Sequence, residues 1–121
     1  MALPKEYRLA KKDSEYVLRN GETVKNSFFF IRFSKNRVSR CRIAILISAR
    51  VLKNSTARNR LRRMVAEIFK TTGLLDRPLD IVFIATSGIV GKPSGEIKSG
   101  LMDAINAIFV KQNEKNYSKI N

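Results

Sequence analysis

The chain contains no histidine, no tryptophan, a single cysteine, and no apolar run approaching the length of a membrane span. Without histidine it lacks the side chain most often used for proton transfer near neutral pH. A lone Cys41 permits no intrachain disulfide, and its core-facing strand position, with no histidine partner, assigns it to packing rather than nucleophilic attack. The ten carboxylates are scattered. Asp13 with Glu15, or Asp76 with Asp80, comes nearest to a metal pair, but a two-metal nuclease site needs several convergent carboxylates. Neither a glycine-rich phosphate loop nor a zinc spacing occurs. The expectation is a protein with no catalytic residues and no metal site of its own. The N-terminus, Met1-Ala2-Leu3-Pro4-Lys5, has no hydrophobic signal core, and no helix pairs a basic face with exposed Trp or Phe. A reducing cytoplasm is therefore expected and a membrane partner is not.

What is present in excess is positive charge. The 121 residues suit one domain, and the formal charge of +14 with a pI near 10.5 calls for an anionic partner of high charge density. Residues 1–63 hold 17 lysines and arginines against 4 carboxylates, whereas residues 64–121 hold 7 against 6. The first half holds the binding face and the second reads as scaffold.

The charge is densest between Ala57 and Phe69. Ala57, Leu61, Met64, Val65 and Ile68 fall in one narrow arc at helical spacing, with Phe69 at its margin. The remaining surface carries Arg58, Asn59, Arg60, Arg62 and Arg63. Like charges three and four residues apart repel unless an anion sits among them, and no carboxylate follows until Glu67. Arginine offers bidentate forks to phosphate oxygens.

Residues 1–12 are expected as a basic, mobile arm and 112–121 as a mobile polar tail. A helix is expected from Asp13 to Asn20, capped by Asp13 or Ser14 and stopped by Gly21. Val24 to Phe33 reads as a strand that is aromatic on both faces, and Cys41 to Ser48 as a second strand. Ala49 to Asn54, with Arg50 and Lys53, links it to the arginine helix, capped by Asn54 or Ser55 and ended by Thr72-Gly73. Asp80 to Ala85 is a wholly apolar interior strand. Pro93-Ser94-Gly95 opens a last helix with Ile97, Leu101, Met102, Ile105, Ile108 and Phe109 at helical spacing. The result is one α+β domain with a β-α-β unit, helices covering at most one face of its sheet. Phe29, Ile31 and Phe33 form one face of the first strand. Phe28 and Phe30, opposite, are either a second buried layer beneath the first or last helix or a groove where unpaired bases stack.

Ser48-Ala49-Arg50 followed by Ser55-Thr56-Ala57-Arg58-Asn59-Arg60-Leu61-Arg62-Arg63 resembles the signature of the bacterial ribonuclease P protein subunit, which carries Ser-Lys-Lys, a short spacer and an Arg-Asn-Arg helix. The similarity extends from the basic N-terminus and first helix, Leu9 to Gly21, to the apolar strand at Asp80. It implies an α-β-β-β-α-β-α domain with a mixed sheet, of ribosomal protein S5 domain 2-like type. The crossover through the arginine helix would be left-handed, against the usual rule. A fourth strand would have to come from splitting the stretch around 23–34.

The resemblance further implies a monomeric protein that binds one catalytic RNA and precursor tRNA and promotes removal of the 5′ leader, the RNA performing the hydrolysis with Mg²⁺. Arg50, Lys53, Arg58, Asn59, Arg60, Arg62 and Arg63 would contact the RNA. Phe28, Phe30 and Arg32, with Leu18 or Tyr16 from the first helix, would line a groove for the leader. The chain departs from the family at Ser14 and Leu18, where aromatics are usual, at Ala49 in place of lysine, and at Ala66 and Thr86 where arginine is common. The competing expectation is a ribosomal or RNA-assembly protein without nuclease activity. A helix-turn-helix DNA reader is disfavoured because a strand, not a helix, precedes the arginine helix.

Overall fold

The computed structural model describes the backbone of residues 3–120 and the side chains of residues 3–113. Three helices, α1 (Lys11–Asn20), α2 (Ser55–Thr71) and α3 (Ser94–Ile120), surround four strands, β1 (Glu22–Lys25), β2 (Phe29–Lys35), β3 (Arg42–Leu46) and β4 (Leu79–Ala85). The sheet order is β1-β2-β4-β3. β2 pairs antiparallel with both β1 and β4, and β3 runs parallel to β4 through the α2 crossover. The α-β-β-β-α-β-α order and mixed α+β sheet are those expected.

The long aromatic stretch splits because Asn26 turns the chain. Its Oδ1 accepts from the amides of Phe28 and Phe29 at 2.8 and 3.1 Å, an Asx turn that ends β1 and restarts pairing at Phe29. Beyond it Phe29, Ile31 and Phe33 point into the main core with Ile43, Ile81 and Phe83. α2 and α3 close this face through Leu61, Val65, Ala66 and Phe69 and through Ile97, Leu101, Ile105 and Ile108. Burying a side chain of this size stabilises by roughly 1.5–3 kcal/mol, so the helix faces are fixed by this contact. Met102, expected in the α3 stripe, is instead 42% exposed.

The opposite face is also covered, contrary to expectation. α1 crosses β2 and β4 on that side, burying Val17 against Val82 and Leu9, with Leu18, Ala44 and Ile84 at the margin. This helix begins at Lys11, two residues before its expected cap, and Ser14 is buried inside it with Oγ donating to the Ala10 carbonyl at 3.0 Å. At its far end a Cβ on Gly21 would lie 2.6 and 2.8 Å from the Val17 and Phe33 carbonyl oxygens, so only glycine fits there. The expected mobile arm is docked over residues 3–10. Leu3 and Leu9 are buried, Leu9 donates its amide to the Ile43 carbonyl, and Arg8 bridges to β3. Of the expected polar tail, the side chains of 114–121 lie outside the described residues.

Beneath α1 lies a polar cluster. Asp80 accepts from Arg42 at both oxygens (2.9 and 2.8 Å) and from Asn36 Nδ2 at 2.8 Å, while Asp13 pairs with the same guanidinium at 3.5 Å. The hydrogen bonds that Arg42 donates to Asp80 hold it above its ordinary pKa against the opposing effect of burial, reinforced by the charges of Asp80 and Asp13. Cys41 is fully buried, and burial, with Asp80 nearby, pushes its thiol up to about 12.

Candidate nucleic-acid interface

Ser48 folds the lead-in to α2. Its carbonyl accepts from the amides of Val51 and Leu52, both at 3.1 Å, and the resulting turn leaves Arg50 exposed. Asn54 caps the helix, its Oδ1 accepting from the amides of Thr56 and Ala57. With Leu61, Val65, Ala66 and Phe69 turned inward, the side chains between those positions face water or the rim of the core.

The arginines differ in how they are held. Arg58 turns back on the lead-in, Nη1 donating to the carbonyls of Leu52 and Lys53 at 2.7 and 3.0 Å. Arg62 donates to the Asn59 side chain at 3.0 Å and Arg63 to the Asn59 carbonyl at 3.4 Å. Asn59 is therefore the hub that spaces two guanidinium groups. Among the described residues Arg60 has no hydrogen-bond partner, and none of Arg50, Lys53, Arg58, Arg60, Arg62 or Arg63 meets a carboxylate. The structure thus brings all seven sequence-predicted residues together on α2 and its lead-in. Clustered cations without carboxylate partners are a ready site for phosphates.

The second predicted site is only partly assembled. Strand register places Lys25, Phe30, Ile84 and Leu46 in one row across the sheet on the α1 side, and Arg32, Val82 and Ala44 in the next, which α1 covers. Leu18 and Ile84 both pack against the Val17–Val82 cluster, and with Phe30 and the 43% exposed Leu46 they give this side of the sheet a partly exposed apolar surface. Ile84 and Leu46 were not legible from the sequence, because their place depends on register with β2. Arg32 is tied down, Nη2 donating to the Gly21 carbonyl at 2.7 Å.

Two predicted groove residues are elsewhere. Phe28 lies in the turn before β2, where strand alternation does not apply, and packs against Gly100 of α3 with Lys92 Nζ 5.8 Å from its ring centroid. Tyr16 is 60% exposed. Helical geometry sets it about 200° from Leu18, on the opposite flank of α1. Of the two alternatives for the aromatics, Phe28 takes the packed one under the last helix and Phe30 the open face. Ala66 is enclosed in the core, and Thr86 ties the end of β4 to Ser27 and Phe28.

Residues 3–108 match the family model described as Ribonuclease P. The chain belongs to the ribonuclease P protein family. It is 34% identical over 87 residues to the ribonuclease P protein component of Lachnoclostridium phytofermentans, covering 71% of this chain and 74% of that protein. It is 28% identical to the Legionella pneumophila (strain Corby) component, covering 83% and 87%. Among solved structures, the ribonuclease P protein of Staphylococcus aureus superposes with a TM-score of 0.76 at 24% identity, covering 84% of this chain and 94% of that one. The Thermotoga maritima protein does so with 0.69 at 25%, covering 79% and 92%. Membership makes this chain a subunit of an endoribonuclease holoenzyme of tRNA 5′ processing, with the fold its sequence implied.

Among the described residues no three carboxylate, cysteine or histidine side chains stand close enough to hold a metal ion. Asp13 and Asp80, from the two carboxylate pairs considered above, are joined through Arg42 instead. No described helix is long and apolar enough to cross a membrane.

Proposed function

We propose that the chain binds the catalytic RNA of ribonuclease P through α2 and its lead-in, and lays the 5′ leader of precursor tRNA along the groove beside α1. The RNA would supply the reacting groups and would hold most of the Mg²⁺ that the reaction uses. The protein's part is cationic: Arg50, Lys53, Arg60, Arg62 and Arg63 neutralise backbone phosphates where RNA segments converge, Asn59 spaces two of them, and Arg58 braces the lead-in that presents the rest. Such neutralisation lowers the demand for divalent counter-ions, which is how a subunit without catalytic groups accelerates an RNA enzyme. Phe30, Leu18 and the β-strand row give unpaired leader bases an apolar surface. One copy acts per RNA, in the cytoplasm.

The observation that carries this reading is the set of guanidinium groups on α2, none of which faces a carboxylate among the described residues. Its test is sequencing of the RNA that co-purifies with the full chain. One discrete species corresponding to the ribonuclease P RNA is expected. Ribosomal RNA in its place would support the assembly-protein alternative.

A further inference from the structure

Beside the phosphate-binding face lies a cleft of about 470 Å³ between the first turns of α2 and the connection leading into α3. Its volume is within the roughly 300–1,000 Å³ of small-ligand sites. Leu61, Met64, Ile89 and Ile97 supply an apolar lining, Arg60 and Lys92 stand among its walls, and no carboxylate lines it. Among the described residues Arg60 has no partner to give up, and Lys92 has only the Phe28 ring, 5.8 Å from its Nζ.

A site with an apolar interior and two cations at exposed positions suits a ligand that is flat and apolar at one end and anionic at the other. We propose that this cleft receives one unpaired nucleotide of the RNA bound by α2, its base in the cleft and its phosphate between Arg60 and Lys92. The Met64 thioether favours contact with an aromatic ring, and the Arg60 guanidinium plane can cover a base while its edge meets phosphate. Ser94, exposed and lining the cleft, offers a hydroxyl to the base edge. Arg60 belongs to both surfaces, so the cleft continues the phosphate face without a break. The inference rests on the RNA-binding reading above.

The test uses the full chain with its ribonuclease P RNA. Ala57→Leu, from α2, and Ser94→Leu, from the opposite wall, each fill the cleft without altering charge. Each should weaken RNA affinity about tenfold, the effect of losing one buried base, while leaving the salt dependence unchanged. In the same samples one unpaired nucleotide, shielded by the wild-type chain from a 2′-hydroxyl acylating reagent, should become reactive. Ser94 is exposed, so its variant keeps the test valid if Ala57→Leu melts early. Wild-type affinity and protection in both folded variants would overturn the proposal, as would lost affinity with a reduced salt slope, which marks phosphate contact alone. A wild-type chain that binds no RNA would overturn this inference together with the function it rests on, whereas binding without a protected nucleotide overturns the inference only.

Discussion

Asp80 shows how one carboxylate organises one end of the sheet. It sits 6% exposed in the central strand and is matched to Arg42 directly across the β3–β4 register, with Asn36 closing its remaining valence. Removing it leaves a half-buried guanidinium without its main partner. Asp80→Ala should therefore cost about 2–4 kcal/mol in denaturant unfolding, while Lys70→Ala, which breaks the exposed pair with Glu67, should cost under about 0.5 kcal/mol. Equal costs would show that burial of the Arg42 pair contributes nothing. Cys41 gives a pH prediction of defined sign. Its thiol ionises near 12 when folded against 9.0 as the ordinary value, so its contribution is fully present below pH 9 and is lost as pH rises toward 12. Over that window wild-type stability should fall more steeply than that of Cys41→Ala, by about 1.4 kcal/mol per pH unit. Parallel curves would contradict a protonated buried thiol.

On α2 the arginines separate into braces and free groups, a distinction invisible in the sequence, where Arg58 and Arg60 look equivalent. Arg60→Ala should leave the melting temperature unchanged and lower the slope of log affinity against log salt by about one. Arg58→Ala should lose about 1 kcal/mol of stability as well, because two lead-in carbonyls lose their donor. Thermal melts beside salt titrations of RNA binding distinguish them, and identical behaviour would refute the division. The arginine helix itself was legible from spacing, cap and stop, since helical periodicity needs no partner to be read. Strand detail was less so. The two-sided aromatic run concealed a turn at Asn26, and parity carried across it put Phe28 on the wrong face. Ile84 and Leu46 are not legible in the sequence because their place beside Phe30 follows from pairing between strands distant in sequence, and Tyr16 has suitable chemistry at a helical angle that turns it away from this face.

For the molecule as a whole, the asymmetry of charge has a structural counterpart. The second half of the chain supplies β4 and α3, an inner strand and a helix of the core, whereas the first half contributes both edge strands, the other inner strand β2, α1, the lead-in and the start of α2. Core-forming segments could be recognised by their apolar runs, but docking of residues 3–10 onto β3 could not, because it rests on two leucines spaced among charges. The same division fits the proposed function, in which the scaffold presents cations that meet no carboxylate among the described residues and the RNA supplies the catalytic groups. The most direct test is cleavage of precursor tRNA by the ribonuclease P RNA across a Mg²⁺ titration, with and without the chain. The protein should shift the onset of cleavage to lower Mg²⁺ and cleave nothing alone, and the shift should shrink in Arg60→Ala. Superimposable titrations with and without the chain would contradict the account.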